Sequence, residues 1–224
     1  METPGTMEID TQFGVVRSDV PWRLVVPDVE LDLGLWPTVE LDIDGAYAIE
    51  GPDDGSFVLD HPAPDNVWVS AKLGLYDSRE EGAKSAWAIG AQLGPKLPVA
   101  RDGHGLGYEG LLLLGKVWDD SHFVLNLGGL IDPGSEISRQ RPVGIEGGID
   151  TELDLGRWGL SVTGEIGAIR YFSPDPHELH ATAGLNWGVT DQLDISIVGL
   201  AGFLSGGDHE GVLLGISPKF KLWQ

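Results

Sequence analysis

The stretch DVELDLGLWPTVELDIDGAYAIE, Asp28 to Glu50, decides how this chain is read. Val29, Leu31, Leu33 and Leu35 share one parity, and Asp28, Glu30, Asp32 and Gly34 share the other. After Trp36-Pro37-Thr38 the alternation resumes, with Val39, Leu41 and Ile43 set against Glu40, Asp42 and Asp44. Successive side chains of a strand point to opposite faces, so each half is a strand with one apolar and one acidic face. A three-residue turn pairs Leu35 with Val39 and Leu33 with Leu41, which keeps the apolar residues of both strands together. The same register sets Asp32 opposite Asp42 and Glu30 opposite Asp44.

Period-two alternation continues along the chain and helical periodicity is nearly absent. Strands are expected at 6–17, 23–36, 38–51, 66–77, 85–95, 105–118, 121–132, 141–155, 157–171, 178–190, 192–204 and 210–223. The fourth presents Val67, Val69, Ala71, Leu73 and Leu75 on its apolar face; the twelfth presents Val212, Leu214, Ile216, Phe220 and Leu222. In the eleventh, Leu193, Ile195 and Ile197 oppose Asp194 and Ser196. The sixth is ambiguous, because the run Leu111 to Leu114 hides its parity and one choice turns Lys116 into the apolar face.

The connections carry as much information as the strands. The odd-numbered ones tend to be long, as in GPDDGSFVLDHPAPD and DPGSEISRQRP, and the even ones are mostly tight, as in WPT, WDDS, LGRW and TDQ. Long loops at one end, short turns at the other and an even strand number describe a transmembrane barrel. Strands of ten to fifteen residues exceed the globular mode of about five or six, and about nine to eleven tilted residues cross a bilayer's hydrocarbon.

A soluble barrel would bury the apolar face and charge the other. Here the second face holds small and polar residues, among them Ser70, Gly74, Gly90, Asn126, Gly128, Gly148, Thr163, Thr182 and Asn186. A twelve-strand lumen is too wide for one layer of side chains, so the polar face is assigned to an aqueous interior and the apolar face to lipid. Tryptophans near strand ends (Trp36, Trp68, Trp87, Trp118, Trp158, Trp187, Trp223) fit interfacial girdles, although Trp36 and Trp68 have lumenal parity. The fold expected is all-β: one up-and-down antiparallel transmembrane barrel of about twelve strands over residues 1–224.

Composition removes other classes. The chain has no cysteine, which excludes disulfides and thiolate metal sites. A net charge of −21 with only 14 Lys and Arg argues against nucleic acid. No run approaches the length of a transmembrane helix. Met1 leads straight into ETPGTMEID, with neither a basic region nor an apolar core, so no signal peptide is read here, and composition leaves open a cytoplasmic protein or a mature form with an added initiator Met; the barrel reading takes the second.

NVWVSAKLGLYD (66–77), AWAIGAQLGPKLPVARDGHG (86–105) and ATAGLNWGVTDQLDISIVGLAG (181–202) resemble the outer-membrane transporter family associated with the meta-cleavage pathway of phenol degradation. The resemblance covers mainly residues 66–223 and implies an outer-membrane barrel that passes hydrophobic or aromatic small molecules. The first 65 residues are more acidic than the family suggests, and the closing ISPKFKLWQ departs from the usual aromatic final residue. Phe220 and Leu222 keep the apolar parity of an ending read by outer-membrane insertion machinery.

With the apolar face outward, the lumen-lining acids are Glu30, Asp32, Glu40, Asp42, Asp44, Glu146, Asp150, Glu165 and Asp194, with Glu152 and Asp154 continuing the second row. Opposed like charges need a cation or a basic side chain between them. Lys72 and Lys96 are the basic candidates for the hairpin; Lys219 and Lys221 are expected beside Glu8 and Asp10 where the last strand closes on the first. This wall reads either as a cation-favouring path, with divalent cations as partners, or as internal salt bridges that stiffen the barrel.

Most of the six histidines fall in loops or at strand ends, and His177 and His180, three apart, would face opposite ways on a strand. No catalytic residues, no resident metal and no cofactor are expected, and the chain is not read as an enzyme. The function expected is passive passage of small solutes across a bacterial outer membrane; the alternative is a non-conducting structural or ligand-binding barrel, soluble or engineered.

Overall fold

The computed structural model describes the chain except residues 19–21, 53–57, 60, 80–83, 101–102, 136–140, 173–174 and 224. Twelve long strands follow the alternating segments. They are β1 (Thr6–Arg17), β2 (Trp22–Trp36), β3 (Val39–Glu50), β4 (Val67–Asp77), β5 (Ser85–Leu97) and β6 (Gly107–Trp118). The second half comprises β7 (Ser121–Ile131), β8 (Val143–Asp154), β9 (Leu160–Tyr171), β10 (Glu178–Thr190), β11 (Leu193–Gly202) and β12 (Glu210–Lys221). Each pairs antiparallel with its sequence neighbours, and β12 pairs with β1, so the sheet closes into a barrel without edges. Two minor pairings decorate the long-loop end: His61–Pro64 adds to the end of β3, and Gly103–His104 pairs with Gly134–Ser135.

The β2–β3 hairpin has Leu33 opposite Leu41, Asp32 opposite Asp42 and Glu30 opposite Asp44. Leu35 does not pair with Val39, however. A register shift after Gly34 sets Trp36 against Val39 and leaves a two-residue turn at Pro37-Thr38. A second shift, between Val25 and Asp28, spans Pro27, whose nitrogen has no hydrogen to give to a ladder.

The apolar parity faces outward all round. Leu73, Leu112, Leu127, Ile166, Ile197 and Leu214 are all at least 40% exposed, whereas Glu40 and Asp42 are 1% exposed inside. An aqueous surface so apolar would be a liability, and a bilayer resolves it. On β6, Leu112 and Leu114 face out while Leu111 and Leu113 face in. Lys116 therefore does take the outward face, where its Nζ stands 4.7 Å over the Trp87 ring near the short-turn rim. A lysine there can carry its head to the headgroup layer.

The two rims differ in aromatic content. Trp36, Trp87, Trp158, Trp187 and Trp223 are exposed at the short-turn end, and Tyr47, Tyr108, Phe172 and Phe203 at the long-loop end. Both sets suit membrane–water interfaces.

Candidate functional site

Parity and register bring the inward charges into separate groups. Glu40 on β3 lies opposite Lys72 on β4, which lies opposite Gln92 on β5; Asp42 lies opposite Ser70. Lys72 Nζ is consequently 2.7 Å from Glu40 Oε1, 3.2 Å from Asp42 Oδ2 and 3.8 Å from Asp32 Oδ1. Gln92 Nε2 donates to Asp42 Oδ2 at 2.6 Å and to Ser70 Oγ at 2.9 Å. Buried charge is tolerable only when it is paired and hydrogen-bonded, and this nest meets that condition around one lysine.

Residues 2–5 cap the nest from the short-turn rim. The Glu2 amide donates to Glu40, the Gly5 amide donates to the Gly34 carbonyl at 2.8 Å, and the Thr6 amide closes a turn on the Thr3 carbonyl at 2.9 Å. Gly34 admits this approach because it lacks a side chain: a Cβ there would stand 2.2 Å from the Thr3 oxygen.

A second nest lies toward the long-loop end. Lys96 Nζ is 2.8 Å from both Glu109 and Asp132, and the Tyr171 hydroxyl donates to Asp132 at 3.0 Å. Glu109 and Asp132 were not singled out from the sequence. The parity of β6 was hidden by its leucine run, and Asp132 lies just past the end of β7. A third group sits at the closing seam, where Lys219 Nζ is 3.2 Å from Glu8 and 3.4 Å from Asp194. Lys221 does not join it: it lies opposite Thr6 at the rim and is exposed. Asp10 is likewise outside the Lys219 group among the described ion pairs.

Asp10, Glu30 and Asp32 offer carboxylate oxygens within 4.8 Å of one another, as do Asp32, Glu40 and Asp42. The second triad already surrounds Lys72, and the first shares Asp32 with it. Asp44 lies opposite Glu30 and Trp68.

The wall formed by β8–β10 is different. Asp150 on β8 lies directly opposite Glu165 on β9, and their side chains are 49% and 41% exposed. Each has a histidine beside it: His122 Nε2 is 3.6 Å from Asp150, and His180 Nε2 is 3.4 Å from Glu165. Ser161 and Asn186 donate to Glu152. Glu146 lies inward on the same strand, and Asp154 lies opposite Ser161 at the rim. The expected strands 121–132 and 178–190 place His122 and His180 at strand ends without an acidic partner, although His180 shares the even parity of Thr182, Gly184 and Asn186 on β10.

Leu111 and Leu113, whose parity the leucine run leaves undecided in the sequence, are lumen residues. A Cβ on Gly128 would stand 2.8 Å from Leu111 Cδ2, and one on Gly90 would stand 3.8 Å from Leu113 Cβ, so both leucines lie over inward-facing glycines.

No family model matches this chain, and no curated protein matches it. Solved structures do. An outer membrane channel from Pseudomonas putida F1 superposes with a TM-score of 0.68 at 11% identity, covering 98% of this chain and 97% of that one. The NanC porin superposes with a TM-score of 0.64 at 9% identity, covering 96% of this chain and 100% of that one. At such identities the likeness is one of fold: this chain shares the closed antiparallel barrel of these outer-membrane proteins.

Proposed function

We propose that residues 1–224 form one barrel unit in a bacterial outer membrane and act as a passive channel for small solutes, with cations favoured. The observation that carries this reading is the opposed, half-exposed pair Asp150 and Glu165. Lys72, Lys96 and Lys219 are each engaged by two or three carboxylates, so the charge open to a solute on that wall is negative. Rings and rows of acidic side chains select cations in pores. Asp10, Glu30 and Asp32 add a hard oxygen set suited to a divalent cation resting along the path. Leu111 and Leu113 give the lumen an apolar strip, which supports solutes with a hydrophobic part and agrees with the phenol-pathway resemblance. The chain is read as non-catalytic, and Phe220 and Leu222 as part of the signal for insertion machinery.

Planar-bilayer recordings of the detergent-folded chain across a KCl gradient test this. A reversal potential on the cation side, moved toward zero by Asp150→Asn with Glu165→Gln, is the expected result. An anion-selective or charge-blind current would overturn it. The second reading, a non-conducting structural barrel, draws on the Lys72 nest and its cap by residues 2–5; absence of any current from correctly folded protein would select it.

A further inference from the structure

At the long-loop mouth lies a cavity of 590 Å3, lined by residues including Ser18, Arg23, Asp65, Glu178, His180, Leu200 and Asp208. One wall is the connection between β11 and β12, and it is fixed on three sides. The Phe203 amide donates to the Leu179 carbonyl at 2.8 Å, the Gly206 amide to the His177 carbonyl at 3.0 Å, and the His209 amide to the Arg17 carbonyl at 2.6 Å. Ser18 Oγ donates to Asp208 at 2.8 Å, which ties the same connection to the end of β1. Gly206 and Gly207 allow the wall to lie against the Glu178 stem: a Cβ on Gly206 would stand 2.8 Å from Glu178 Cγ, and Gly207 has φ of 71°.

Among the described residues, the charges of this cavity do not cancel. Arg23 is shared between Glu50 at 3.1 Å and Asp208 at 3.4 Å, so its positive charge is already answered. His180 is turned to Glu165. Among the described residues, Asp65 accepts the Asn66 amide and neither Asp65 nor Glu178 has an ion pair. Leu200 and Pro176 supply apolar surface beside them. Among the described residues an anion would meet two carboxylates without an ion pair, and a bare metal ion would make no use of Leu200. The volume falls in the range of small-molecule pockets, about 300–1,000 Å3.

We infer that this mouth cavity binds small organic ammonium ions, with Glu178 and Asp65 holding the charged nitrogen and Leu200 and Pro176 covering the alkyl part. The site deepens the cation-channel reading and rests on it for its place on the solute's path. The test is isothermal titration of the detergent-folded full chain with n-butylammonium, butyrate and sodium, alongside separate bilayer recordings. Saturable binding of n-butylammonium alone is expected, weakened at least fivefold by Glu178→Gln and by Asp65→Asn, and unchanged by Asp120→Asn at the opposite rim. Asp65 lies in an exposed connection, so its variant keeps the test open if Glu178→Gln fails to fold. Equal binding of butyrate, or wild-type affinity in both variants, would overturn the site. Cation-selective current without n-butylammonium binding overturns the site and leaves the channel; binding by a barrel that passes no current keeps the site and removes the channel.

Discussion

Lys72 stands among three carboxylates on β2 and β3, whereas Asp150 and Glu165 face each other across β8 and β9 with a histidine beside each. Both regions are acidic rows on inward parity, and composition alone would give them one role. Exposure separates them. Glu40 and Asp42 have side chains 1% and 2% exposed against the lysine, while Asp150 and Glu165 keep two-fifths or more of theirs open. A carboxylate buried against an ammonium holds strands together and offers a passing ion little; a carboxylate open to the lumen is available to it. On the proposed function, the acidic hairpin that dominates the sequence is mainly a fastening, and the quieter second row is the surface a solute would meet.

The sharpest way to break this contrast is Lys72→Met. It strands Glu40, Asp42 and Asp32 without their cation, and removing one partner of a buried pair costs about 3–5 kcal/mol. Urea unfolding of the detergent-folded barrel, followed by tryptophan fluorescence, should show a large fall in midpoint; a midpoint within error of wild type would reduce the nest to decoration. The same change at Lys219, 34% exposed, should cost no more than about 1 kcal/mol. Gln92→Leu comes next. It removes the amide that donates to Asp42 and Ser70, leaving Asp42 to Lys72 alone, and should lower stability by about 1–3 kcal/mol in the same assay.

On the outer surface, Lys116→Gln removes the cation over Trp87 and should cost about 0.5–1 kcal/mol, read as a small midpoint shift with unaltered conductance. The smallest stability effect belongs to the second row. Asp150→Asn with Glu165→Gln relieves opposed like charges and should raise stability by roughly 0.2–1 kcal/mol, while cation selectivity drops several-fold. Loss of stability without loss of selectivity would reverse the roles assigned to the two rows.

Much of the fold could be read from the chain because each strand advertises its parity. The pairings Leu33–Leu41 and Asp32–Asp42 follow from alternation and a tight turn, and Lys72 falls beside Glu40 once β4 is aligned next to β3. The reading fails where parity is silent or where the backbone slips. Four consecutive leucines conceal that Glu109 points inward, and the shift after Gly34 undoes the Leu35–Val39 pair. Asp132 and Asp208 belong to connections whose course depends on tertiary contacts: Asp208 meets Ser18 across 190 positions of sequence. No local pattern records such a meeting.

The pairing of β12 with β1 has a consequence for how the molecule could be cut. Thr6 and Lys221 are ladder partners at the same rim as every short turn, so in three dimensions the barrel is a ring whose starting point is arbitrary. Joining the two ends there and opening the chain at Pro37-Thr38 would preserve every strand neighbour while making β3 the first strand and β2 the last. Chain segments attached at either end would emerge together on the short-turn side, so a pair of tags would report the orientation of the whole barrel from one face of the membrane.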